Sequence, residues 1–141
     1  MAAAVDAALP ADVAVMVAAV ADWRVERAAA QKLKKDGAAP APLALIANPD
    51  ILAGLATDPR RPRLLVGFAA ETEQVVAHAT AKRARKGADW IVANDVSGDV
   101  MGGDANAVQL ITAQGVETWE RLPKAAVAAR LAERIAAALA G

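Results

Sequence analysis

The chain has 141 residues, room for one domain with a real hydrophobic core and little more. Sixteen basic residues balance sixteen acidic ones, and one phenylalanine, three tryptophans and no tyrosine leave little for base stacking, so neither field nor aromatics favour nucleic acid. There is no cysteine, which removes disulfides, thiolate metal sites and cysteine nucleophiles and fits a reducing cytoplasm; no apolar stretch is long enough to span a bilayer, and the N-terminus lacks a secretory pattern.

In chain order, residues 2–9 read as the end of a helix closed by Pro10. Residues 12–20 form a continuous apolar run, which predicts a strand buried on both faces. Residues 24–31 are polar and irregular. Residues 32–36 and 43–47 predict two short strands flanking a turn region. Asn48-Pro49-Asp50 predicts a helix start, with Asn48 as N-cap and Pro49 in the first helical position, running to about Thr57.

A basic loop over residues 58–63 leads to a second buried strand, 64–70, which ends at Glu71-Thr72. Residues 73–86 have helical spacing with a Gly87 stop. A third buried strand, 90–93, ends at Asn94-Asp95, and the glycine-rich segment 98–106 follows. Residues 108–112 and 116–119 straddle Gln114-Gly115 as a hairpin. Residues 123–140 predict an amphipathic helix, with Val127, Leu131, Ile135 and Leu139 stacked four apart. This order predicts an α/β layered fold with a mostly parallel sheet and a hairpin excursion, and no second domain is apparent.

Chemistry is read from local constellations. Asp22 leaves the first apolar run at a strand end, and Lys32, Lys34 and Lys35 follow closely. Ligands of open α/β sheets bind outside the carboxyl ends of the strands. One carboxylate with several ammonium groups suits a magnesium–triphosphate ligand, although a capping aspartate and a solvated basic strand account for the same residues. Lys82 and Lys86, four apart, project from one helical face toward either a polyphosphate or solvent. Phe68 is either core or a ring that stacks on a base.

Asn94 and Asp95 either face a substrate or simply make a turn. Segment 98–106 is either a flap or an ordinary surface loop. His78 is the lone histidine, without partners for a metal site or a triad, and reads as structural; Trp90 and Trp119 read as packing residues. The chain contains no G-x-G-x-x-G and no G-x-x-x-x-G-K-[ST], so phosphates are held another way or by a loop upstream of Met1.

Seven segments carry a resemblance when taken in order. They are Ala18-Ala19-Val20-Ala21-Asp22-Trp23-Arg24, Lys32-Leu33-Lys34-Lys35, Asn48-Pro49-Asp50-Ile51-Leu52, Val66-Gly67-Phe68-Ala69-Ala70-Glu71-Thr72, Lys82-Arg83-Ala84-Arg85-Lys86, Ala93-Asn94-Asp95-Val96 and Asn106-Ala107-Val108. Together they resemble phosphopantothenoylcysteine synthetase (phosphopantothenate–cysteine ligase), the C-terminal half of the bifunctional bacterial coenzyme A biosynthesis protein.

The resemblance implies a Rossmann-like (ribokinase-like) fold and CTP-dependent ligation of 4′-phosphopantothenate to cysteine through an acyl-cytidylate. It places Ala18, Asp22, Lys32, Pro49, Asp50, Ile51, Leu52, Phe68, Lys82 and Lys86 around CTP, with Asp22 on the Mg²⁺ side and Lys32 helping to turn over the intermediate. Asn94, Asp95 and Asn106 would belong to the substrate side or flap. It further implies a cytoplasmic homodimer fused to or associated with phosphopantothenoylcysteine decarboxylase, FMN belonging only to that absent half.

The family's opening segment, with its glycine- and serine-rich loop and an asparagine important for the acyl-nucleotide intermediate, has no counterpart in this sequence. The chain is therefore expected to be an N-terminally truncated, C-terminal part of the ligase domain over residues 1–141. Two other readings stand beside it. One is a nucleotide-binding or dimerisation module without turnover. The other is a nicotinamide-dependent Rossmann oxidoreductase, against which the absent glycine fingerprint counts.

Overall fold

The computed structural model describes residues 1–28, 31, 42–96 and 103–141. These fall into two compact units: Met1–Val17 with Ile51–Gly141, and Ala18–Asp50.

The larger unit contains helix α1 (Ala2–Ala7), strand β1 (Val13–Met16), helix α2 (Ile51–Thr57), strand β4 (Leu64–Glu71), helix α3 (Val75–Lys86), strand β5 (Trp90–Asp95), strands β6 (Ala105–Asn106), β7 (Val108–Ile111), β8 (Val116–Thr118) and β9 (Leu122–Pro123), and helix α4 (Lys124–Ala140). The smaller unit contains strands β2 (Trp23–Val25) and β3 (Leu45–Ala47).

The main sheet runs β1-β4-β5-β7-β8. β1, β4 and β5 are parallel, whereas β7 and β8 return antiparallel as the expected hairpin. β4 as far as Ala69 and β5 as far as Ala93 are apolar because both faces are covered there. On one face Leu64, Val66, Trp90, Val92, Leu110 and Trp119 form a core against Val127, Leu131, Ile135 and Leu139 of α4. On the other, Ala69, Ile91, Ala93 and Ile111 pack with Ala79 and Val75 of α3 and Leu52 of α2. Helices on both faces of a mostly parallel sheet make the Rossmann-like layered fold that the sequence predicts.

Two glycines matter here. A Cβ on Gly67 would lie 2.8 Å from both Ile91 Cδ1 and Leu52 Cδ2, so the missing side chain is what lets α2 pack closely on the sheet. Gly87 ends α3 in the left-handed region at φ +66°, its N–H donating to the Ala84 carbonyl while Ala88 N–H donates to that of Arg83. Beyond it, Asp89 accepts from Leu65 N–H at 2.7 Å and from Arg61 Nη2 at 2.9 Å, joining the starts of β4 and β5.

The basic loop is therefore structural. Arg61 holds Asp89, Arg63 reaches the Leu139 carbonyl, and Arg60 pairs with Asp58 and Asp6. The guanidinium of Arg60 holds the Asp58 carboxyl below its ordinary value by hydrogen bonding.

Some expectations need correction. The first strand is Val13–Met16, not residues 12–20, and it is not buried on both faces. Among the described residues it pairs only with β4 and lies at the sheet edge, with Val15 exposed. Residues 32–36 lie outside the described residues. The partner of β3 is β2, within a stretch whose composition reads as irregular beyond Trp23. Helix α2 begins at Ile51, so Pro49 precedes it. At β2 tertiary pairing overrides local propensity.

Candidate functional site

Asp22, Pro49 and Asp50 all belong to the smaller unit, which is built around one antiparallel ladder: Trp23 opposite Ala47, Arg24 opposite Ile46, Val25 opposite Leu45. Trp23, Val25, Leu45 and Ala47 share one face of this ribbon by the alternation of strand side chains.

At its base the chain is closed by Asn48. Its main-chain N–H donates to the Asp22 carbonyl at 2.7 Å, and its Nδ2 donates to the Ala21 carbonyl at 2.8 Å. Its Oδ1 accepts from Arg24 Nη1 at 2.9 Å, and the same guanidinium nitrogen donates to the Ala47 carbonyl at 3.1 Å. Asn48 thus continues the β3 ladder by one residue instead of capping α2. Its side-chain amide is already committed to the Ala21 carbonyl and to Arg24, and α2 begins only at Ile51.

The two segments that the sequence nominates around Asp22 and around Pro49–Asp50 are in this way tied together, although more than twenty residues separate them. Ala18 and Asp22 are exposed, as are Pro49 and Asp50. Lys32, with Lys34 and Lys35, lies outside the described residues.

In the larger unit, Ile51 and Leu52 open α2, and the Leu52 side chain turns into the core over Gly67. Phe68 is partly buried and packs on the α4 side of the sheet, so its ring is a core contact in this structure. Its carbonyl accepts from Lys82 Nζ at 2.8 Å. β1 pairs with β4 only as far as Met16 opposite Gly67, and Phe68 is the first residue of β4 beyond that pairing. Lys86 stands one turn beyond Lys82, at the end of α3, as the spacing requires.

Because α3 joins two parallel strands, it runs back toward the amino edge of the sheet. Lys86 therefore lies roughly 6 Å farther along the axis than Lys82 from the edge where β4 and β5 end. That carboxyl edge carries Glu71 opposite Asp95 and Ala70 opposite Asn94, and Val96 N–H donates to the Glu71 carbonyl. The His78 imidazole stands 3.5 Å from the Glu71 carboxylate, a contact that sequence reading did not anticipate. Asn106 pairs with Leu122 in the short β6–β9 ladder, while residues 98–102 of the expected flap lie outside the described residues.

A groove of about 380 Å³ runs along Val25, Glu26, Arg27, Pro42, Leu43 and Ala44, and among the described residues no nominated site residue lines it. Among the described residues no group of three or more histidine, aspartate or glutamate side chains gathers as a metal cage. A lone Asp22 carboxylate fits a cation such as Mg²⁺, which keeps several waters and takes its other ligands from substrate phosphates. No described helix is long and apolar enough to cross a membrane.

A layered α/β chain with charged residues at strand ends is the class that fold and residues define. Residues 1–139 match the family model of the DNA/pantothenate metabolism flavoprotein C-terminal domain. A coenzyme A biosynthesis bifunctional protein CoaBC from Haemophilus influenzae is 43% identical over 119 residues, covering 84% of this chain and 30% of that protein. Its counterpart from Mycolicibacterium smegmatis is 41% identical over 140 residues, covering 92% and 34%. Among solved structures, the C-terminal domain of a coenzyme A biosynthesis bifunctional protein CoaBC superposes with a TM-score of 0.71 at 31% identity, over 94% of this chain and 57% of that one.

The chain belongs to the DNA/pantothenate metabolism flavoprotein C-terminal domain family. The resemblance drawn from the seven segments is borne out at this level. The chain spans about a third of the length of these two curated relatives.

Proposed function

We propose that this chain acts in coenzyme A biosynthesis as the ligase part of such a bifunctional system, joining 4′-phosphopantothenate to cysteine at the expense of CTP in the cytoplasm. The observation that carries the reading is the family match over residues 1–139, together with the hydrogen-bonded pairing of the Asp22 and Asn48–Asp50 segments.

A carboxylate does not acylate an amine directly, because oxide is the leaving group. In the first step a carboxylate oxygen of 4′-phosphopantothenate attacks the α-phosphorus of CTP, the bond to the β-phosphate oxygen breaks, and pyrophosphate leaves. In the second, the cysteine nitrogen attacks the acyl carbon, the bond to the cytidylate oxygen breaks, and CMP leaves as the nitrogen gives up a proton. The protein's part is to position the reactants and to neutralise the triphosphate.

Lys32, Lys82 and Lys86 supply positive charge in this reading, and Ala18 and Pro49–Leu52 border the nucleotide. Asp22 holds Mg²⁺, which when bound offsets phosphate charge. Asn94, Asp95 and Asn106 lie on the substrate side. The active assembly is a homodimer, fused to or associated with the decarboxylase half, where FMN would reside.

Calorimetric titration of the chain with CTP in the presence of Mg²⁺, against ATP, tests the site. Saturable CTP binding weakened by Lys32→Ala is expected, and undetectable binding or an unchanged variant refutes the assignment. Pyrophosphate release dependent on CTP, 4′-phosphopantothenate and cysteine distinguishes a ligase from a module that binds nucleotide without turnover.

A further inference from the structure

We infer that Asn48, oriented by Arg24, is the positioning residue for Asp22. The inference rests on the reading of Asp22 as the metal-side carboxylate of the nucleotide site. The two carbonyls that Asn48 engages, those of Ala21 and Asp22, belong to the peptide planes on either side of the Asp22 Cα. One residue therefore pins both planes, and with them the φ and ψ of Asp22. Those two angles set the direction of the Asp22 Cα–Cβ bond and restrict the rotamers its carboxylate can adopt.

The chemistry at position 48 is specific. The side chain must donate to the Ala21 carbonyl and accept from Arg24 at once. An amide does both, an ionised carboxylate only accepts, and glutamine places the same groups one methylene farther out. The opposite demands of a carbonyl on one side and a guanidinium on the other also fix which way the amide faces. Arg24 is held in its turn by the Ala47 carbonyl. Pro49 completes the arrangement by keeping Asn48 extended. The order Asn48-Pro49-Asp50 is therefore a device for the segment behind it as well as for the helix ahead.

Groups that orient a metal ligand commonly matter 10–100-fold to metal affinity without touching the metal. Calorimetry of CTP with the intact chain, with Mg²⁺ varied, is the test. Asn48→Ala is expected to weaken Mg²⁺-dependent CTP binding by on the order of tenfold and to raise the Mg²⁺ concentration needed for half-saturation. Asn48→Asp, which keeps size and the Arg24 contact but loses the donor, is expected to do the same.

The deciding comparison is with Asp22→Asn. If Asn48 acts through Asp22, adding Asn48→Ala to Asp22→Asn changes binding little further. Binding by both Asn48 variants within twofold of the natural chain overturns the inference, as do independent, multiplying effects of the two substitutions. Failure of the natural chain to bind CTP with Mg²⁺ overturns the underlying site reading itself, and this inference with it.

Discussion

The two units of this chain are stabilised in opposite ways. In the larger one, β4 and β5 are sealed between helices, and Leu65, Val66, Ile91 and Ala93 are fully buried. In the smaller one no described residue is buried, and apolar side chains face solvent: Trp23 is 61% exposed and Leu45 55%. A two-stranded ribbon has little independent stability. What orders this one is a handful of polar contacts centred on Asn48 and Arg24. The contrast teaches that apolar area specifies the scaffold, whereas hydrogen-bond geometry specifies the segment nominated for chemistry. Segments of low local stability are where ligand-binding elements are commonly drawn from.

The largest effect is expected for Leu65→Ala, which empties a fully buried position and should cost about 2–5 kcal/mol in chemical denaturation. Gly67→Ala comes next, at about 1–3 kcal/mol, because the new methyl collides with Ile91 and Leu52. A value near zero would mean that α2 does not pack on the sheet as closely as described.

Glu117 gives a smaller, pH-dependent effect. Its carboxylate accepts from Trp119 Nε1 at 2.8 Å and is flanked by Arg130 and Arg134, while the Arg130 guanidinium lies 4.7 Å from the Trp119 ring centroid. The Trp119 hydrogen bond, with the two arginines, lowers its pKa from the ordinary 4.5. A lowered folded-state pKa stabilises the protein above pH 4.5, and that stability is lost as pH falls through the folded value. With the side chain 36% exposed, solvent screening holds the effect to about 0.5–1 kcal/mol. The melting temperatures of natural chain and Glu117→Gln should therefore differ at pH 7 and converge toward pH 3. A gap independent of pH would remove the charge from the explanation.

Trp23→Ala is expected to do least, within roughly 0.5 kcal/mol on the global transition. If instead it rivals Leu65→Ala, the apolar ribbon face is covered in solution and the contrast between the units fails.

Much of the larger unit was legible in advance. The apolar runs that became β4 and β5, the four-residue stacking of Val127 through Leu139, the glycine stop at Gly87 and the hairpin around Gln114-Gly115 all follow from local patterns. The site was legible as segments but not as contacts. Asn48 looked like a helix cap because Ser, Thr, Asp and Asn favour that position, and since a cap is extended too, nothing local separated it from a ladder residue. His78 beside Glu71 had no local signature, since the two meet through the turn between β4 and α3.

By itself the amino-acid order determined which faces are apolar, where helices stop, and which family the chain resembles, because hydrophobic period and turn chemistry act over a few residues. Tertiary structure alone decided that β2 is the partner of β3, that Asn48 reaches back to Ala21 and Asp22, and that Lys82 fastens to the Phe68 carbonyl. Hydrogen bonds between distant residues depend on register and on which backbone groups neighbouring strands leave open. No local window of sequence encodes either.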